Sequence, residues 1–218
     1  MKKTYTRRQV ARSVGVLTAM GLISAQAATG IITPEQVEGP FYPVNEASDD
    51  DLDLTRIAGH TESALGEVIL VRGRILASDG NPINEAVVDV WQANASGRYT
   101  HAEDPNPAPL DPHFVGFGVM KTSKDGNYAF KTIKPGAYAL KFLGEEGWRC
   151  RHIHFKVSGP GFKTLITQMY FEGDPLIETD EEVAKVPKEK RHLLIVKQQQ
   201  DTVSGLPYFD FEITLAKA

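Results

Sequence analysis

Trp148-Arg149-Cys150-Arg151-His152-Ile153-His154-Phe155, continued by Lys156 and Val157, reads as a β-strand carrying two imidazoles one residue apart. Side chains alternate along a strand, so His152 and His154 share a face, with Cα atoms roughly 6.5–7 Å apart. Such a pair converges on one metal ion at bond lengths of about 2.0–2.1 Å. Taken alone, a His-x-His pair is a weak signal that more often describes two surface or hydrogen-bonded histidines. What else the chain offers that ion decides between the two readings.

Outward from this strand, and from Glu67 onward, short apolar-alternating runs are separated by turn signals. The runs are Val68 to Leu76, Ala86 to Gln92, Tyr128 to Thr132, Tyr138 to Phe142, His152 to Val157, Leu165 to Phe171 and Leu193 to Lys197. Ser78-Asp79-Gly80-Asn81-Pro82, Lys124-Asp125-Gly126-Asn127 and Lys134-Pro135-Gly136 supply turns. In the last run Phe209, Phe211, Ile213 and Leu215 alternate with Tyr208, Asp210, Glu212 and Thr214, the pattern of one half-buried edge strand. About eight short strands at this spacing predict an all-β fold, an antiparallel β-sandwich or barrel with long loops. One short helix is expected around Asp180 to Lys185, capped by Thr179 with acids in its first turn.

The 218 residues suffice for one domain with a real core. Residues 1–27 read as an export leader. Lys2, Lys3, Arg7, Arg8 and Arg12 form a basic head, Val14 to Ile23 an apolar run, and Ala25-Gln26-Ala27 a small-x-small cleavage site. The run is too short to span a bilayer. Thr6-Arg7-Arg8-Gln9-Val10 resembles the twin-arginine signal, which marks export of folded proteins, so a periplasmic or exported protein is expected. Removing the leader strips five positive charges and takes the formal charge from −4 to −9. The acidic remainder has no long basic run, which argues against nucleic acid or anionic membrane as a partner. A single cysteine, Cys150, excludes a disulfide-stapled scaffold.

Residues 28–66 show no strong period and read as an extended arm wrapping over a domain at 67–218. Thr33 and Pro34 suggest the cap and first position of a short helical turn. Glu38-Gly39-Pro40-Phe41-Tyr42-Pro43 excludes helix and central strand. Ser48 to Asp53 is acidic but lacks the glycine and terminal glutamate of an EF-hand loop, so a solvated loop is the better reading. Gly97-Arg98-Tyr99-Thr100-His101 leads into a proline-rich stretch that continues to Gly116 and Gly118, long for a compact domain and of the kind that carries function. Tyr138 follows Pro135-Gly136-Ala137; alone it also fits an ordinary sandwich tyrosine bonded to backbone. His101 and His113 are further candidate ligands whose spacing does not tie them to the face of His152; surface or supporting positions are expected.

Tyr99, Tyr138, His152 and His154 together suit one metal. Phenol ionises near pH 10, so tyrosine is a poor ligand unless a hard, highly charged cation draws off its proton. Ferric iron does so; zinc and magnesium do it badly, and copper(I) prefers sulfur. Two phenolates and two imidazoles leave Fe(III) with a net charge of +1.

At Gly39 to Pro43, Val90 to Tyr99, Thr132 to Tyr138, Trp148 to Phe155 and Leu165 to Asp174 the chain resembles the intradiol ring-cleavage dioxygenases, nearest to the catalytic-subunit type of protocatechuate 3,4-dioxygenase. The resemblance runs from about Glu38 to Leu215. It implies one Fe(III) per chain held by Tyr99 and His154 as equatorial and Tyr138 and His152 as axial ligands. It places Arg149 over the substrate ring and Gln168 on the oxygen side of the pocket. The implied reaction cleaves a catechol-type ring between its two hydroxyls with O2, giving a cis,cis-muconate, with Tyr138 as base. A homo- or hetero-oligomer is compatible with this type of subunit. Two departures stand out. Cys150-Arg151 replaces the family's usual Pro-Ala, which would add a charge and a thiol near the iron. Strand alternation also puts Arg149 on the face opposite the histidines, unless residues 148–150 are still turn. Tyr42 is expected near the mouth of the pocket. Two other readings fit parts of the chain. A non-catalytic transthyretin-like β-sandwich binding module shares the Asp125 to Phe130 and Pro135 to Tyr138 patterns, and a zinc or copper hydrolase would use the same histidine pair.

Overall fold

The computed structural model describes residues 30–44 and 52–218; the expected leader at 1–27 and most of the acidic stretch at 48–53 lie outside them. Two five-stranded sheets face each other. The first is built on β1 (Val68–Ala77). On one edge β1 pairs antiparallel with β4 (Asn127–Ile133), from Val68 opposite Ile133 to Arg74 opposite Asn127. On the other edge it takes the C-terminal run in parallel, as β11 (Pro207–Asp210) and β12 (Ile213–Leu215); β10 (Gln199–Gln200) adds to β11. The second sheet runs β3 (Phe117–Lys121), β2 (Val87–Trp91), β7 (His152–Ser158), β8 (Leu165–Phe171), β9 (Ile195–Val196). Its first four strands are antiparallel neighbours and β9 joins β8 in parallel. A two-stranded ribbon, β5 (Tyr138–Ala139) with β6 (Trp148–Arg149), stands apart from both sheets.

The sandwich is therefore mixed rather than purely antiparallel. The last run is also split where one strand is expected. Val71 opposes Phe209 and Ile75 opposes Ile213, so the register is the same on both sides of the break. Between them the Phe211 carbonyl leaves the ladder and accepts from the Tyr128 hydroxyl at 2.5 Å. Gly73 makes this possible, because a Cβ there would collide with the Phe211 carbonyl.

Alternation builds the core. Ile69, Val71 and Ile75 of β1, Val88 and Val90 of β2, and Ile153, Phe155 and Val157 of β7 are all fully buried in one cluster between the sheets. Each such side chain contributes about 1.5–3 kcal/mol of hydrophobic stabilisation. The other face of β2 and β7 carries a smaller cluster of Phe41, Trp91, Ala93, Tyr99 and Tyr138. Ile153 and Phe155 thus point into the sandwich and His152 and His154 out of it.

Several local expectations change. The run from Tyr138 to Phe142 is strand only to Ala139 and then a tight 3-10 turn, Leu140–Leu143, closed by Gly144. The long loop after the proline-rich stretch ends in β3, where Phe117 to Lys121 pair with Trp91 to Val87. The single α-helix among the described residues, α1 (Glu181–Ala184), is capped by Asp180 rather than Thr179: the Asp180 carboxylate accepts from the Glu182 and Val183 amides. Thr33 caps no helix. Its amide and hydroxyl are taken by Thr214, and the Gln36 amide donates to the Ile166 carbonyl at 2.8 Å, so the arm is pulled out straight across the sheets.

Candidate metal centre

The two histidines leave β7 on its outer face, His154 between Trp91 and Gln168 on the neighbouring strands and His152 beside Tyr170. The Trp91 indole stacks on His154, rings 4.7 Å apart and nearly parallel. On the arm Gly39, at φ +72°, lies so close that a Cβ would rest 3.5 Å from the His154 ring. A side chain there would strain the backbone, while its Cβ would meet the imidazole at ordinary contact distance.

Tyr99 arrives from the loop after β2. Asn94 organises that loop: its side-chain oxygen accepts from the Ser96 and Arg98 amides. Asp104 accepts from the Tyr99 amide at 2.7 Å, and Asn106 donates to the Gly97 carbonyl. Tyr138 arrives from the ribbon. The two tyrosine loops meet backbone to backbone: the Gly97 and Gly136 amides both donate to the Asn94 carbonyl. A Cβ on Gly136 would lie 2.4 Å from the Gly97 nitrogen. Each glycine precedes its tyrosine by two residues, so this contact sets the tyrosines edge to face, 5.8 Å between rings.

The result is a triangle of donor atoms. Tyr99 Oη lies 3.2 Å from His152 Nε2 and 3.1 Å from His154 Nε2, and the two Nε2 atoms are 3.2 Å apart. Two donors about 2.0–2.1 Å from one ion subtend such an edge at an angle of about 100°. Tyr138 packs against both Tyr99 and His152, its ring 5.8 Å from each. The four residues singled out in the sequence are brought together.

Protonation supports a metal here. His152 Nδ1 sits 2.6 Å from the Cys150 carbonyl, which makes it the protonated nitrogen and leaves a lone pair on Nε2. Burial first, and the Arg149 charge second, hold both imidazoles well below the usual histidine range, so both are neutral. His154 Nδ1 is buried without a hydrogen-bond partner among the described residues; the Val37 carbonyl beside it already accepts from Gln168 Nε2. Burial pushes the Tyr99 and Tyr138 hydroxyls up from 10, so only a cation ionises them. Lone pairs converging without enough protons to share are what a cation satisfies, and the donor set fits a hard trivalent one.

Arg149 lies opposite Tyr138 in the ribbon. The chain breaks at Cys150-Arg151 before β7 begins, which answers the register problem: β6 belongs to a different ribbon from the histidine strand. Its guanidinium is almost fully buried, Nε 3.0 Å from Asp180 Oδ2 and Nη2 2.5 Å from Gln168 Oε1. Burial opposes the charge, but Tyr138, once ionised, and the Asp180 carboxylate outweigh it and keep the guanidinium protonated. Gln168 is fully enclosed; its oxygen also accepts from Tyr170.

Neither departure at 150–151 reaches the centre. Arg151 turns to Asp174, Nη1 3.1 Å from Oδ2, and the Cys150 side chain packs into the main core. Burial pushes the Cys150 thiol up, so it is no nucleophile. Tyr42 is spent on Asp89, to which it donates at 2.7 Å; burial and that bond push it up to about 12. His101 lies against Phe41 beside Tyr99, and His113 lies away from the centre near His60. An apolar cavity of about 360 Å³ reaches Tyr99 past Phe41, Trp91, His101, Phe114 and Phe117.

Asp180 is the important residue that sequence reading passed over. One oxygen caps α1; the other holds Arg149 Nε and the Cys150 amide, the latter at 2.8 Å. An acid just before Glu181-Glu182 reads only as a surface charge. Its burial comes from the fold.

Residues 37–216 match the family model described as Dioxygenase. Over 81% of its length the chain is 43% identical to the protocatechuate 3,4-dioxygenase beta chain of Burkholderia cepacia, covering 76% of that protein. It is 34% identical over 72% of its length to catechol 1,2-dioxygenase 2 of Acinetobacter lwoffii, of which it spans 58%. The dioxygenase domain of a carbohydrate-binding fusion from Streptomyces sp. SirexAA-E superposes with a TM-score of 0.63 at 27% identity, over 86% of this chain and all of that one. The 3-chlorocatechol 1,2-dioxygenase of Rhodococcus opacus shares the fold at 0.67 and 23% identity, over 85% of this chain and 73% of that one. The chain belongs to the intradiol ring-cleavage dioxygenase family. Its relatives act, by name, on protocatechuate, catechol and hydroxyquinol rings.

Proposed function

We propose that this chain is a non-haem Fe(III) enzyme that opens a catechol-type ring between its two hydroxyls with O2, giving a cis,cis-muconate. The observation that carries the reading is the 3.1–3.2 Å triangle of Tyr99 Oη, His152 Nε2 and His154 Nε2, with the Tyr138 ring packed edge to face against its phenol corner. Tyr99, Tyr138, His152 and His154 hold the ion. Bound ferric iron supplies Lewis acidity, keeping the phenols ionised and favouring the substrate's doubly deprotonated form.

The remaining work falls to side chains. Tyr138 Oη accepts a substrate hydroxyl proton; its position beside Tyr99 and His152 keeps the transfer within the site. Arg149, facing Tyr138 across the ribbon, offers a fixed positive charge to the ring as negative charge grows there. Asp180 and Gln168 hold that guanidinium from behind, so it does not reorganise during reaction. Trp91 covers the His154 ring and Phe41 the Tyr99 ring, which keeps water off those two ligands. The binding-module reading has no use for this buried, proton-poor donor set, and a hydrolase would not need Tyr138.

The mature chain is further proposed to be exported through the twin-arginine route, on the strength of Arg7-Arg8 and the apolar run behind them. The central test is oxygen uptake by the iron-loaded protein against catechol, protocatechuate and hydroxyquinol, with the visible spectrum recorded alongside. A red to burgundy protein that consumes one O2 per ring is expected. A colourless protein at full iron loading would refute the phenolate ligands. A coloured protein inert on every ring would refute the reaction.

A further inference from the structure

His60 and Glu62 lie about fifty residues before His113 in sequence, yet the ligand atoms of all three fall within 4.8 Å of each other. They share no residue with the tyrosine–histidine centre. His60 and Glu62 sit on the arm's last loop, exposed; His113 sits at the end of the proline-rich stretch, half-buried. Among the described residues His113 Nδ1 is sealed from solvent and has no hydrogen-bond partner. A buried ring nitrogen with nothing to bond to is costly unless something occupies it.

The cluster is held in place from behind. The Asp111 carboxylate is buried and ties both loops by their backbones: Oδ2 accepts from the Leu65 amide at 2.7 Å and Oδ1 from the His113 amide at 3.0 Å. The Ala64 amide donates to Thr55 and the His60 amide to Ile57, so the loop carrying His60 and Glu62 is a closed turn rather than a loose strand. Donors in a tetrahedral zinc site lie about 3.3 Å apart. The exposed His60 and Glu62 side chains close the remaining gap by rotation, with the Asp111-anchored backbone unmoved.

We propose that His60, Glu62 and His113 form a second metal site that takes a divalent transition ion of the zinc type. Two imidazoles and one carboxylate suit a borderline cation, whereas calcium and magnesium prefer oxygen alone. Three protein ligands leave a fourth position for water. The ion clips the arm to the loop that runs on through Phe114 to Phe117, which walls the cavity beside Tyr99. The site is a staple for that wall and is independent of the chemistry proposed for the first centre.

The test is a calorimetric titration of the purified, iron-loaded protein with zinc chloride, iron content being measured before and after. One saturable zinc per chain is expected, with iron content unchanged and the melting temperature raised by about 5–10 °C at a hundredfold excess over Kd. His60→Ala should weaken binding at least tenfold and His113→Ala should abolish it. Both variants should melt like the parent without zinc, since the Asp111 bonds go to backbone amides that they keep. Failure of the parent to bind a saturable equivalent, equal affinity in both variants, or zinc uptake matched by iron loss would each overturn the proposal.

Discussion

Replacing Gly136 by alanine tests how the two tyrosines are brought side by side. The added Cβ would stand 2.4 Å from the Gly97 nitrogen and 2.6 Å from the Ala95 carbonyl oxygen. Ordinary contact needs about 3.4 Å, so the two loops must part by about 1 Å. All of these neighbours are backbone, and no rotamer change relieves the clash. The Gly136 amide's 2.9 Å bond to the Asn94 carbonyl is stretched or lost in the process. Overpacking costs about 1–3 kcal/mol and the bond about 0.5–1.5, so a loss of about 2–4 kcal/mol is expected. For a domain of this size that lowers Tm by roughly 5–15 °C. The same 1 Å separates Tyr138 from Tyr99, so iron content and visible colour should fall together with stability. Gly205→Ala is the control: its φ is +72° with nothing within 4 Å, so only local strain of about 1–2 kcal/mol is added and colour should persist. Urea and thermal unfolding, with iron analysis of the folded variant, read both effects. A Gly136→Ala protein that melts with the parent and keeps full iron and colour would show that the glycine contact does not position the tyrosines.

Asp180→Asn keeps the helix cap, since asparagine caps as well as aspartate, but removes the charge behind Arg149. Stability should fall by about 1.5–3 kcal/mol in urea unfolding, and kcat should fall more than iron content; unchanged kcat would mean Arg149 needs no anchor. Arg151→Ala removes a partly exposed guanidinium from the buried Asp174 carboxylate, which still accepts from the Arg151 and Leu176 amides, and should cost about 1–3 kcal/mol, with kcat within twofold of the parent. A collapse of kcat there would place the working arginine at 151 rather than 149. Glu212 is raised above its ordinary value by burial, against the pull of Arg74. The native state thus holds its proton more tightly than the unfolded chain. Its unfavourable contribution is nil below the unfolded pKa, grows as pH rises through the folded value, and is full at neutral pH. Glu212→Gln should therefore raise Tm at pH 7 and change it little at pH 4; equal shifts at both would rule out ionisation as the cause.

The alternation of Ile153, Phe155 and Val157 against His152 and His154 determined by itself that β7 has a core face and a ligand face, because a strand's period of two is a local property. The turn glycines were local as well: Gly97 and Gly136 each announce a tight turn two residues ahead of a tyrosine. Periodicity did not reveal that these turns touch, since that contact joins segments about forty residues apart. Nor did it reveal the parallel docking of β11 and β12 on β1, because the C-terminal run alternates in the same way whichever edge it joins. Its split at Phe211 needed Gly73 and the Tyr128 hydroxyl, neither of them a neighbour in sequence. Thr33 and Asp180 make the same point from opposite sides. Local capping propensity, worth about 1 kcal/mol, loses to the sheet for Thr33 and serves a buried arginine at Asp180. Which side chains face together could be read along the chain; which faces meet was decided only when distant backbones competed for the same hydrogen bonds and the same buried space.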